Sequence, residues 1–255
     1  MSTNGHAVPE GMQEIAKGQF VHYGFYKVDP AWRALPPETR AAHREELART
    51  IERSDPRLSI RAYSTTGIRP DTDFLLWTVA PSPDLIQGLG TAVLSTAMAP
   101  YLRLAYGYLA MTKRSIYVTN HQHEGQDGMR LQVSPAGARY LFVYPFVKTR
   151  AWYALSMEDR GRMMGEHIRV GHKYPTVKLN TTYSFGLDDQ EFVVAFESDH
   201  PEDFVDLVME LRHTEASMYT ERDTPIFTCI RMSVPDVLDA LGGVGVPERE
   251  MAGSR

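Results

Sequence analysis

Cysteine is almost missing from this chain of 255 residues: Cys229 stands alone. One thiol cannot make an internal disulfide, which sets aside the disulfide-framed secreted classes and fits a reducing cytoplasm. Long apolar runs are missing too, none approaching the roughly 18 residues a spanning helix needs. The start MSTNGHAVPEGMQ lacks the charged-then-apolar pattern of a signal peptide. Charge of one sign is scarce: a formal net charge of −5 gives no nucleic-acid footprint. No P-loop, dinucleotide glycine signature or metal-dense Cys/His pattern occurs. The expectation is a soluble cytoplasmic protein with no nucleic-acid or membrane partner.

What is present is enough apolar material, 43% of residues, for a substantial core. The length exceeds the usual single-core size of roughly 100 to 200 residues, so two domains or one duplicated unit is expected. Residues 19–28 read as a strand, 37–53 as a charged helix, and 58–66 and 73–79 as two strands around the turn at Gly67. A helix over 84–104, interrupted near Pro100, and a strand over 115–119 complete the set. After a polar loop and an extra strand near 130–133 the order returns: strand 140–146, helix 157–171, strands 177–185 and 190–197 around Gly186, helix 203–213 and strand 226–232. Ser156 and Asp159 make a capping box at the second of these helices. Each set is β-α-β-β-α-β, the ferredoxin-like pattern. The fold class is therefore α+β, two ferredoxin-like halves with antiparallel sheets packed together as in a dimeric α/β barrel. No strong residue-level repeat is evident, so the duplication is one of architecture. The expected organisation is a loose arm (1–18), an N-terminal half (19–119), a connection (120–139), a C-terminal half (140–235) and a tail (236–255).

Chemistry concentrates in the C-terminal half. Tyr144 ends a strand and is held extended by Pro145. Lys148 and Arg150 lie at even offsets from it, so all three share a face if the strand persists; an amphipathic edge strand with snorkelling bases explains the same pattern. In helix 157–171, His167 follows Met163 and Met164 by four and three residues and shares their face. On spacing alone a core histidine bonded to a backbone carbonyl outweighs a ligand. His121 and His123 form a possible metal pair, but no third ligand is near in sequence and a solvated loop is the simpler reading.

Four segments taken together go further: YPFVKTRAWY (144–153), MGEHIRVGHKYP (164–175), NTTYSFGLDDQEFVVAF (180–196), and ELRHTEAS (210–217) with DTPIF (223–227). In this order and spacing the chain resembles the chlorite dismutase-like haem proteins, and among them the coproheme decarboxylases. The resemblance runs over about 19–231 and is strongest after 140. It implies a duplicated ferredoxin-like fold, a homo-oligomer (commonly a pentamer), and a bound iron-coproporphyrin III (coproheme) that is both substrate and redox cofactor. It further implies peroxide-dependent removal of carbon dioxide from two propionates to give haem b, with a ferrochelatase as the expected source of coproheme. By the same resemblance His167 is the axial iron ligand, Tyr144 the tyrosine that becomes a radical, and Lys148 the lysine beside a reactive propionate. Arg130, Arg212 and Ser217 match positions that hold propionates, and cations and hydroxyls suit buried carboxylates on general grounds. Two departures stand out. Where chlorite dismutases place an arginine over the iron, this chain has Leu179, which speaks against chlorite chemistry; chlorite dismutation and haem binding without catalysis are the alternatives to be set against decarboxylation. Where actinobacterial decarboxylases place a distal histidine, it has Ile116, so that either His121 or His123 folds back as the base or, as in family members lacking one, peroxide reacts without dedicated acid–base help.

Overall fold

The computed structural model describes residues 18–115, 132–133 and 135–242. Arg130, Ile116, His121 and His123, and the first half of the expected strand near 130–133, lie outside the described residues, while Gln132 and Val133 belong to no strand.

The N-terminal half runs β1 (Phe20–Val28), a short α1 (Pro30–Arg33), α2 (Pro37–Glu52), β2 (Ser59–Ser64), β3 (Phe74–Ala80), α3 (Pro83–Leu94) and β4 (Leu102–Met111). The C-terminal half runs β5 (Tyr140–Lys148), a short α4 (Arg150–Ala154), α5 (Met157–Gly171), β6 (Lys178–Tyr183), β7 (Phe192–Ser198), α6 (Pro201–Leu211), β8 (Thr220–Arg222), β9 (Phe227–Met232) and α7 (Val234–Asp239). Both halves are ferredoxin-like and antiparallel, in the orders β4-β1-β3-β2 and β9-β5-β7-β6. Their sheets come together edge to edge. β2 pairs with β9 from Ala62↔Met232 to Ser64↔Ile230, and β4 meets β6 at Met111↔Tyr183. Joining the edges closes a barrel and removes most of the unpaired backbone that two separate sheets would expose.

Strand alternation then sorts the side chains. Tyr23, Phe25, Trp77, Leu141, Val143, Ala195 and Phe227, drawn from both halves, fill the barrel interior. The opposite faces carry the helices: Phe74, Leu76 and Val28 meet α2 and α3, while Phe142, Tyr144 and Phe196 meet α5 and α6.

One stretch departs from expectation. Helix α3 stops at Leu94, and Leu102–Met111, partly read as helix, is the strand that closes the N-terminal half; Ser115, the one described residue of the expected strand 115–119, belongs to no strand. Its Leu and Ala content suits either state, and the decisive influence is non-local: β1 pairs with β4 along its whole length.

The structure also exposes a residue-level repeat that the bare sequence conceals. In each half a carboxylate just ahead of the third strand accepts a backbone N–H from the end of the first: Val28 N to Asp73 Oδ2 and Lys148 N to Glu191 Oε2, both 2.8 Å. Asp73 N donates to Tyr26 O and Glu191 N to Phe146 O. Asp29 N donates to Tyr101 O, Thr149 N to Tyr219 O, and the tryptophan three residues on, Trp32 or Trp152, is buried. The intervening turns use Gly67 and Gly186, both at positive φ (77° and 73°), a conformation open to glycine.

The halves differ in what covers their outer face. In the N-terminal half α7 lies over α2 and β2, with Val237, Leu238 and Leu241 buried beside Leu47, Ile51 and Trp32. Residues 236–242, read as the beginning of a tail, are thus packed helix and turn. Arg44 pairs with Asp239 at 2.7 Å, and Arg33 donates to Leu241 O. Leu238→Ala should cost about 2–5 kcal/mol through the cavity it leaves, read as a lower midpoint in urea denaturation, whereas truncation of exposed Val205 on α6 should be nearly neutral.

Candidate active site

On β5 the outward residues are Phe142, Tyr144, Phe146 and Lys148. Tyr144 pairs with Val194, which pairs with Thr181; Phe142 pairs with Phe196, which pairs with Leu179. Leu179 therefore stands on the same sheet face as Tyr144, two strands across and one row along, and is 49% exposed. Phe185, at the turn beyond β6, is 50% exposed. Helix α5 leans on α6 and on the 3-10 turn Glu215–Tyr219, through Met163, Ala216 and Trp152. Leu179 and Phe185 thus leave exposed apolar surface toward the β6 end of the face that carries the buried Tyr144 phenol, surface that a flat apolar ligand can cover. Burial, with the charge of Asp223 acting in the same direction, pushes the Tyr144 phenol up, so it carries its proton at neutral pH; Arg212 opposes the shift.

Lys148 shares the Tyr144 face because β5 is regular to its end; the irregularity there is the extra residue Glu221 on β8. Its side chain is buried and its Nζ donates to Ala216 O at 2.7 Å. The ammonium lies 4.6 Å from the Trp152 ring centroid and 5.3 Å from that of Phe146. Burial lowers the Lys148 pKa to about 8, against the pull of Glu191. Arg150 does not join this face. The strand ends at Lys148, Thr149 caps α4, and Arg150 begins that helix in solvent, 3.9 Å from Glu191.

His167 sits on α5 as the 3.6-residue period requires, half-buried near Lys148. Ser156 caps this helix, accepting Asp159 N at 3.1 Å; the reciprocal half of the expected box is replaced by Ser156 Oγ donating to Asp159 Oδ2 at 2.6 Å. Burial, helped by the Lys148 charge, lowers His167 to about 4, so its imidazole is neutral at pH 7, the form that binds a metal. His167 Nδ1 lies 3.3 Å from Thr214 Oγ1.

Arg212 caps α6 and pairs with Asp223, and both charges reach Tyr144. Ser217 has its hydroxyl 2.8 Å from Arg212 O and 2.7 Å from Thr214 O, so its single proton is spent on the end of α6. The structure thus brings together Tyr144 with Arg212, Lys148 with His167, and Leu179 with the Tyr144 face.

Three groups escaped the sequence reading. Glu191 is buried, accepts Lys148 N and binds the Tyr153 hydroxyl at 2.5 Å. Asp223 holds Arg212, and Thr214 touches His167. The signal for Glu191 was available as an acid followed by Phe at the start of β7, repeating Asp73-Phe74 at the start of β3. Among the described residues no cluster of three His, Cys, Asp or Glu could hold a metal by itself.

The chain forms a closed barrel of two ferredoxin-like halves, with a histidine-bearing helix packed against one sheet face. The chlorite dismutase family profile matches residues 10–232, and the chain belongs to that family. Two curated relatives carry the name coproheme decarboxylase. That of Mycolicibacterium smegmatis is 32% identical over 183 residues, covering 70% of this chain and 75% of the relative. That of Staphylococcus carnosus is 29% identical over 220 residues, covering 80% and 88%. Among solved structures, a mutant chlorite dismutase from Candidatus Nitrospira defluvii superposes with a TM-score of 0.81 at 24% identity, over 89% of this chain and 96% of that one. A haem-binding protein from Thermus thermophilus gives 0.77 at 25% identity, with the same coverage. No described helix is long and apolar enough to cross a membrane.

The depressed His167 pKa carries a stability signature. Between pH 6.5 and about 4 an unfolded histidine takes up a proton that folded His167 refuses. Its contribution is therefore complete above pH 6.5 and lost as pH falls toward 4, amounting to about 3 kcal/mol. His167→Gln should flatten that part of the stability profile, measured by urea unfolding at a series of pH values.

Proposed function

We propose that the chain is a coproheme decarboxylase, converting iron-coproporphyrin III to haem b at the expense of hydrogen peroxide. The observation that carries the reading is that a neutral His167, a buried protonated Tyr144 and a buried Lys148 lie on one side of the C-terminal sheet, with an exposed, uncharged Leu179 two strands across the same face from the tyrosine. The residues present fit an iron porphyrin: His167 offers a nitrogen ligand, Leu179, Phe185 and Phe146 offer apolar surface to the ring, and Lys148 and Arg212 offer positive charge to its propionates. Leu179 has no charge with which to hold a chlorine oxyanion, which favours decarboxylation over chlorite chemistry.

When bound, the iron porphyrin supplies the activation of peroxide. Tyr144 loses its phenolic hydrogen, and the resulting radical takes a hydrogen atom from the β-carbon of a propionate. A second electron leaves the side chain, the bond to the carboxyl carbon breaks, and carbon dioxide departs to leave a vinyl group. Per propionate, one peroxide becomes two waters, so electrons and atoms balance. Lys148, with a pKa near 8, steers the carboxylate and can hold or release a proton at Nζ. Arg212 anchors another propionate after leaving Asp223, with Arg130 and, once its hydroxyl turns from the α6 carbonyls, Ser217 as further anchors. Two rounds give haem b. A cytoplasmic homopentamer loaded by a ferrochelatase completes the reading; light scattering tests the subunit count.

Mixing the protein, coproheme and peroxide should give two successive losses of carbon dioxide plus two hydrogens by mass spectrometry; an unchanged porphyrin mass refutes the activity. Tyr144→Phe should bind coproheme with near-normal affinity yet form almost no vinyl product, and normal turnover by this variant would remove the tyrosine from the mechanism.

A further inference from the structure

We infer that Thr214 is a positioning residue for His167: its hydroxyl accepts the Nδ1–H and so holds the imidazole in the tautomer that leaves Nε2 unprotonated. The inference rests on the proposed role of His167 as iron ligand, and it concerns which of the two ring nitrogens is available.

A threonine hydroxyl has one proton to give and two lone pairs to offer. Thr214 Oγ1 lies 2.7 Å from Leu211 O and 3.3 Å from His167 Nδ1. A carbonyl can only accept, so the short contact consumes the hydroxyl proton. Toward Nδ1 the oxygen can then only accept, and Nδ1 must be the donor. A neutral imidazole carries one N–H, which leaves the lone pair on Nε2.

The repeat supplies independent support. Thr96 occupies the matching place after α3 in the N-terminal half, and its Oγ1 donates to Val93 O at 2.8 Å. Aligned from their C-caps, Arg53 on α2 and His172 on α5, the two long helices place Ala48 where the other has His167. Thr96 therefore makes the same bond with no imidazole at that position. The hydroxyl's commitment to the helix-end carbonyl belongs to the architecture, and the histidine has to accommodate it.

The neighbouring carboxylate is also accounted for. Glu215, next in sequence, is taken by Arg162 through contacts of 2.7 and 3.2 Å. The partner of His167 is thus a neutral oxygen at a fairly long distance, which orients the ring while adding less basicity than a carboxylate would. His167 is thereby kept a moderate donor to iron, whereas an ionised partner would push electron density toward the metal.

Nitrogen-15 NMR of the ligand-free protein at neutral pH tests the tautomer without any porphyrin. Wild type should show His167 protonated at Nδ1. Thr214→Val, which keeps the shape and leaves Leu211 O still accepting the residue-214 N–H, should lose that preference. Thr214→Ser should restore it, and Thr96→Val, which removes the matching bond in the other half, should leave it unchanged. In the coproheme complex Thr214→Val should bind about 10-fold more weakly, at the low end for loss of such a partner, and shift the iron–histidine stretching band downward, with Thr214→Ser close to wild type. An Nε2–H tautomer in wild type, or an unchanged tautomer in Thr214→Val, overturns the inference. An iron–histidine band indifferent to Thr214→Val overturns the role toward iron. A Soret band unaltered by His167→Ala instead overturns the ligand assignment on which the inference rests.

Discussion

The carboxylate of Glu191 sets the frame of the site. By accepting the N–H of Lys148 it finishes β5 at that residue, and through the Tyr153 hydroxyl it ties the following helix back to the sheet. The chain must then turn at Thr149, which puts Trp152 under the Lys148 ammonium and the 3-10 turn within its reach. A buried carboxylate left without donors would be costly, so the sheet end, the turn and α4 form around it together. Asp73 does the same in the other half, with Lys27 adding a 3.0 Å ion pair.

How much of this was readable in the sequence depends on how local the cause was. Helix α5 was legible to its ends because its cap, Ser156, and its period are written within it. Tyr144 and Lys148 were placed on one face by alternation alone. The exclusion of Arg150 from that face was not legible, since it follows from Glu191, more than forty residues downstream. The closing strand was misplaced for the same kind of reason: Leu102–Met111 is a strand because β1 lies beside it, and nothing inside the segment demands it. Thr214 and Asp223 look like ordinary turn residues until their partners on α5 and at the end of α6 are seen. The residue-level repeat hid because it resides in backbone bonds and in single carboxylates, which differ in identity between the halves.

The two halves are also an internal comparison. Both carry the carboxylate, the capped short helix, the buried tryptophan and the threonine bonded to a helix-end carbonyl. The C-terminal half places His167 where the other has Ala48, Tyr144 where β1 has Gly24, and a buried amine, Lys148, where β1 has Val28. Features common to both halves serve to hold the barrel together; those confined to one half are the ones the proposed chemistry uses.

The position of α7 bears on the order of events during synthesis. The outer face of the half translated first is sealed by a helix encoded after the whole of the second half, and the β2–β9 seam likewise awaits the last strand. A nascent chain therefore carries Leu47, Ile51 and Trp32 only partly covered until residues 237–241 have emerged. The N-terminal half thus emerges before the residues that complete its outer core and its seam with β9.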